Sequence, residues 1–173
     1  MRHMLFVLTG VGLIAVAGAV LAAPSPNDSQ IAHIAYTAGQ IDVAAAKQAL
    51  VKSHNVKVRD FAQEMVRDHT AVNDQALALV KKLHVTPQRN STSASLQKSA
   101  TAERAKLAKL HGAVFDKAYA NNEVAYHKTV NGALENTLIP SAKNAELKSL
   151  LQTGLKLFQE HEAHAEGLVG ELH

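Results

Sequence analysis

Between about Asn55 and His84, the residues Val58, Phe61, Met65, Val72, Ala76, Leu79 and Leu83 recur at steps of three, four and seven positions. That period puts them on one face of an α-helix, whereas a strand would scatter them over both of its faces. Three other stretches behave alike. From about Asp28 to Ser53 the stripe is Ile31, Ile34, Ala38, Ile41, Ala45 and Ala49, with Asp28 or Ser29 as the expected N-cap. A third segment, starting near Ser99, carries Phe115, Tyr119, Tyr126, Val130 and Leu134. A break is expected in it at His111-Gly112 and a stop at Pro140. The fourth runs from Ser141 to about Leu172 on Leu147, Leu151, Gly154, Phe158, Ala165 and Leu168. The polar run QRNSTSAS after Pro87 reads as a loop joining the second segment to the third.

Each stripe needs partners to cover it. Short links join the first pair and the last pair, so the expected fold is all-α, an up-down four-helix bundle of two antiparallel hairpins. Strand formers never cluster, and aromatic residues are only 4% of the chain. There is no cysteine. Neither a disulfide nor a thiol-linked lipid can therefore hold the chain, and packing must suffice.

The chain starts MRHMLFVLTGVGLIAVAGAVLAAP, with Arg2, an apolar run, and small residues up to Ala23. This is the pattern of a signal peptide over residues 1–23, cleaved after Ala22 or Ala23, followed by a helical domain over 24–173 and implying export to the periplasm. Without Arg2 the balance is 17 basic against 15 acidic residues, which argues against nucleic acid as a partner. A protein partner and a peripheral association with the outer membrane are compatible with the sequence.

The polar residues on the stripes carry the functional question. At about 100° per residue, His161 falls ~20° from the centre of the fourth stripe, His164 ~80° and Glu160 ~120° away. Of the segment QEHEAHAE, only His161 should point inward, and Glu160, Glu162 and Glu166 should face water. On the second stripe His69 lies ~40° from the centre and Asp68 ~60° to the other side, while Glu123 lies ~20° and His127 ~60° from the third and Asp42 ~30° from the first. Counting from the hairpin turns, Asp42 should face Asp68 and His69, and His161 should lie within about one turn of Tyr119 and Glu123.

Buried ionisable groups must pair, hydrogen-bond or bind a metal. Two readings follow. In one, Asp42 pairs with His69, and His161 with Tyr119 or Glu123. In the other, Asp42, His69, Glu123, His127 and His161 hold one divalent transition-metal ion such as Zn²⁺ or Cu²⁺. The Glu-x-x-His pattern of di-iron bundles is absent. Val66 stands three before His69, Phe158 three before His161, and Glu123 stands four before His127. No Ser/His/Asp set, P-loop or dinucleotide-binding glycine motif is present, so an enzyme is not expected. Tyr36 and Tyr126 read as packing residues, and Gly39 and Gly154 as points of close helix approach.

The same residues carry a resemblance. FAQEMVRDHTAVN, Phe61 to Asn73, resembles a motif of the bacterial domain of unknown function 4142, and FDKAYANNEVAYH, Phe115 to His127, resembles its second motif. His161, Ala165 and Leu168 are similar to its ending, and Gly39 with Asp42 to an early Gly-x-x-Glu, with Asp in place of Glu. The resemblance covers about residues 28 to 170. It implies a ferritin-like helical bundle that is exported, in a family often labelled outer-membrane, and it supplies no activity. The expected role is structural or partner-binding, with a link to stress that the family context suggests. The alternative is binding or buffering of a divalent metal.

Overall fold

The computed structural model describes residues 25–172, and the expected signal peptide lies outside them. Helix α1 (Asp28–Lys52) and α2 (Val56–Lys82) form the first hairpin, turned at Ser53–Asn55. Asn55 caps α2, its side-chain oxygen accepting from the N–H groups of Lys57 and Val58 at 3.0 and 3.4 Å. The second hairpin is α4 (Gly112–Ala133) and α6 (Ala145–Glu171), joined by a π-helical turn, Leu134–Leu138, and the short α5 (Ile139–Ser141). No strand occurs among the described residues, and no helix among them is long and apolar enough to cross a membrane. The expected all-α bundle is the observed one.

Three expectations about where helices begin and end need correction. The N-cap of α1 is Asn27, which forms a reciprocal capping box with Gln30. Asp28 instead reaches across the bundle, accepting from the N–H groups of Lys143 and Asn144 at 2.8 and 2.9 Å. It thereby ties the start of α1 to that of α6. Pro140 does not stop the helix before it, because it sits in the first turn of α5, where its missing N–H is not needed.

The third correction is larger. Of QRNSTSAS only residues 88–90 are loop. Ser91 opens a helix, α3 (Ser91–Leu107), capped by Asn90, whose side chain accepts from the Ser93 N–H while Ser93 reaches back to the Asn90 N–H. Gly112, at φ +54°, separates α3 from α4, so the expected break at His111-Gly112 holds. Helix α3 lies along α1. Gln48 donates to the Arg104 carbonyl at 3.0 Å, Lys52 to that of Ala108 at 2.8 Å, and Asn90 to that of Gln30 at 3.3 Å.

The core falls into two apolar clusters. Ala46, Ala49, Val58, Phe61, Met65, Phe115, Tyr119 and Leu168 belong to one, and Ile31, Ile34, Leu134, Leu138, Leu147 and Leu151 to the other. Along the long helices of the two hairpins, Asp42, His69, Glu123, His127 and His161 come between these clusters, while Asp116 is buried beside Phe115 in the first. Glycine serves the packing at one of the two expected places. A Cβ on Gly39 would lie 2.4 Å from Oδ1 of Asn73 on α2, whereas one on Gly154 would meet only the Phe158 ring of its own helix, at 3.5 Å. Gly154 is therefore not a point of close helix approach.

Gly39→Ala is expected to lower thermal stability. Forcing atoms into a filled core costs about 1–3 kcal/mol, against a gain of at most ~1 kcal/mol from alanine in a helix. In an Asn73→Ala background the obstructing amide is gone, and the same substitution should become neutral or stabilising. Thermal melts of the four proteins in this cycle provide the check.

Candidate metal centre

Each long helix of the two hairpins sends at least one ionisable side chain into the layer between the clusters. Asp42 comes from α1, His69 from α2, Glu123 and His127 from α4, and His161 from α6, and none is more than 3% exposed. The ring centroids of His69, His127 and His161 form a nearly equilateral triangle with sides of 5.6, 5.3 and 5.6 Å. Zinc–imidazole bonds of about 2.0–2.1 Å place a ring centroid ~3.2 Å from an ion, hence centroids ~5.2 Å apart at tetrahedral angles and ~5.5 Å apart at trigonal ones. Oδ2 of Asp42 lies 3.4 Å from His69 Nε2 and 3.5 Å from His127 Nε2. Glu123 Oε2 is 3.8 Å from His127 Nδ1. Potential ligand atoms of the three histidines lie within 4.8 Å of one another, and so do those of Asp42, Glu123 and His127.

Two of the imidazoles have their tautomers set from outside. His127 Nδ1 is 2.9 Å from the Glu123 carbonyl oxygen, which only accepts, so Nδ1 carries the hydrogen and Nε2 the lone pair. The four-residue spacing of Glu123 and His127 makes this back-bond to the preceding turn. His161 Nε2 is 3.1 Å from Asp68 Oδ2. Arg67 donates to both oxygens of Asp68 at 2.7 and 2.9 Å, and its hydrogen bonds, followed by that of His161, hold the carboxylate below the usual range against the opposing effect of burial. Asp68 therefore accepts, Nε2 donates, and His161 keeps a lone pair on Nδ1. A carboxylate or carbonyl behind an imidazole is the arrangement that orients histidine ligands.

The inward atoms lack partners. Both oxygens of Asp42 and of Glu123, both nitrogens of His69, Nε2 of His127 and Nδ1 of His161 are buried with no hydrogen bond. Buried polar atoms left so cost about 1–3 kcal/mol each. On one side His69 stacks on the Phe158 ring, centroids 4.6 Å apart and planes 11° from parallel. Beyond Phe158, Gly39 and Asn73 begins an apolar cavity of about 70 Å³.

Burial also sets the protons. It pushes the Asp42 carboxyl up to about 8. Glu123 is raised well above its ordinary value by burial and by the Asp42 charge. Burial lowers His127 to about 4. It also lowers His69, further depressed by the charges of His127 and His161, and it lowers His161 in spite of Asp68. Near neutral pH, without an ion, the group is uncharged: protonated acids among neutral imidazoles.

All five candidate residues thus meet in one chamber, and Asp42 faces His69 as expected. Asp68 does not join it there but turns outward, to Arg67 and His161. The expected partner of His161, Tyr119 or Glu123, is replaced by Asp68, since Asp68 on the rim reaches the imidazole from the next helix. The Tyr119 hydroxyl is buried without a partner. Glu162, expected in water, accepts from Asn131 Nδ2 at 2.8 Å. Sequence reasoning also missed the pair of His164 with Glu64, 2.7 Å apart across α6 and α2. Its one sequence signal is the i,i+4 spacing of Glu64 and Asp68, which puts two carboxylates on one edge of α2.

A family model described as a domain of unknown function, DUF4142, matches residues 15–168. Among curated proteins none matches the sequence. A similar solved structure is that of a DUF305 protein from Streptomyces coelicolor, described as secreted. It is 12% identical, with a TM-score of 0.68 over 82% of this chain and 91% of that one. At that identity the likeness concerns the fold.

The protonation pattern has a measurable sign. Histidines of the unfolded chain are largely neutral above about pH 6.5, and those of the chamber are neutral there too. From pH 6.5 to 8 the folded protein keeps the Asp42 and Glu123 protons, which the unfolded chain has already lost. The stability these acids contribute is complete below their ordinary values and is lost as pH rises through about 8. Metal-free protein in the presence of a chelator should therefore lose melting temperature between pH 6.5 and 8. Asp42→Asn should flatten that slope, and adding Glu123→Gln should flatten it further. Melts at half-unit pH steps read the effect.

Proposed function

The chain belongs to the DUF4142 family, a domain of unknown function, and we propose that it binds one divalent transition-metal ion. His69, His127, His161 and Asp42 are the ligands, and Glu123 is the second carboxylate in reach. The observation that carries this reading is the convergence of unpartnered lone pairs from four helices, in a ring triangle of the size that metal–imidazole bonds require. Two of the imidazoles have their remaining nitrogens bound from behind, which supports a ligand role over simple core packing. Neutral nitrogen donors with one carboxylate suit Zn²⁺, Co²⁺ or Cu²⁺ better than hard ions that need several oxygens.

A closed ligand set supports holding an ion rather than turning over a substrate on it. Asp42 must give up its proton to bind, so uptake releases protons and affinity rises with pH. Export to the periplasm is part of the same proposal, supported by the pattern of residues 1–23 and in keeping with a neighbour in fold described as secreted. A cysteine-free ligand set suits an oxidising compartment, since no thiol is present to be oxidised.

Protein exported with its own leader, purified without a histidine tag and remetallated, should carry about one equivalent of metal by elemental analysis. At an ion concentration 100 times the dissociation constant the native state gains about 2.7 kcal/mol, a rise of roughly 5–10 °C for a domain of this size. His69→Ala and His161→Ala should each remove most of that rise, with melts of the metal-free variants reporting that they fold. Less than about a tenth of an equivalent of any transition metal would overturn the reading and leave a structural or partner-binding bundle.

A further inference from the structure

The five inward residues are shut off from water, with an apolar cluster on either side of their layer. An ion that reaches them must cross the wall where polar atoms reach the surface. At one place they do so continuously. Asp68, whose side chain is 16% exposed, bonds His161, which is 1% exposed. One turn away along α2 stands Glu64, 30% exposed, bonded to the half-exposed His164 of α6. Carboxylate oxygens of Glu64 and Asp68 and a ring nitrogen of His161 lie within 4.8 Å of one another. His161 therefore belongs to two ligand groups. Its Nε2 faces Asp68, and its buried, unpartnered Nδ1 is the nitrogen left for the ring triangle.

We propose that Glu64, Asp68 and His164 form an outer loading station for a divalent transition-metal ion, and that His161, the ligand common to both groups, hands the ion to the chamber. This rests on the metal-binding reading and adds its route. The ion exchanges water for the outer oxygens and the His164 nitrogen, then for the ring nitrogens within. No covalent bond is made: the Arg67 cation is displaced at the station, and Asp42 releases its proton to solvent as the ion settles in the chamber. Arg67, mostly exposed, bonds both oxygens of Asp68 and comes within 3.9 Å of Glu64 Oε1. It occupies the station as a rival cation and is released when the ion arrives.

A second approach exists on the other side. A small cleft beneath α3 is bounded by Asp42, Glu123, Glu103 and Arg104. Its surface residues suit a cation poorly, since Glu103 is bound to Lys106 at 2.8 Å and Arg104 opposes an incoming positive charge. This cleft supplies the control.

The test is the rate at which metal-free protein takes up Co²⁺, followed by the visible absorption of the bound ion, and the rate at which a chelator removes it. Glu64→Gln with His164→Gln changes the outer group and leaves every inner ligand and Asp68 in place. Uptake and release should both slow about tenfold, the scale of local electrostatic steering, with the equilibrium affinity unchanged. Arg67→Gln should speed uptake, and Glu103→Gln should leave both rates as in the wild type. Wild-type uptake rates in the double variant, or slowing by Glu103→Gln instead, would overturn the route while leaving the ion site standing. A wild-type protein that takes up no Co²⁺, Zn²⁺ or Cu²⁺ would overturn both.

Discussion

Five ionisable side chains meet where almost no water reaches, and their charges must cancel. Two acids and three imidazoles can do so by keeping protons on the acids or by sharing a cation. A lone ionised carboxylate in such a layer would cost several kcal/mol. The condition governs more than the layer. Because each long helix of the two hairpins contributes, slipping one by a turn would drive an acid or an imidazole into an apolar cluster and leave its former partners exposed to no one. The apolar stripes bring the helices together, and the polar layer fixes their heights.

That division explains what could be read in advance. Stripe phase located Asp42, His69, Glu123, His127 and His161 on inward faces, because one helix determines its own phase. Asp68 was misplaced for a complementary reason. At the edge of its stripe, phase alone cannot choose between inside and outside, and the choice was made by Arg67 beside it and His161 on another helix. The first turns of α3, before Ser99, escape because periodicity is silent there, whereas its second half lies in the expected third segment. Only Ser93 and Leu107 of its seventeen residues are buried, and it is held to α1 largely by side chains reaching its carbonyls. Its one local signal was Asn90 followed three residues later by Ser93, a capping pair that a polar run easily hides. The π-helical turn left no signal that periodicity could show.

The spacing of Glu123 and His127 separates this chamber from di-iron bundles at the level of single atoms. Here the imidazole turns back on the carbonyl of Glu123, which fixes its hydrogen on Nδ1 and presents Nε2 to Asp42. A shared bundle fold, as with the DUF305 structure, does not carry such detail. The donor set belongs to this chain's own residues.

The chain has three tyrosines and no tryptophan. Tyr119 ends in a buried hydroxyl, and Tyr126 donates its own to the Ala38 carbonyl at 2.8 Å. Burial first, and then Asp42 and Glu123 nearby, holds both hydroxyls well above the ordinary tyrosine range. Ultraviolet emission from the folded chain is thus tyrosine emission alone, and two of its three sources adjoin the polar layer. The protein carries a built-in optical probe of its own interior, with no label needed to see what settles there.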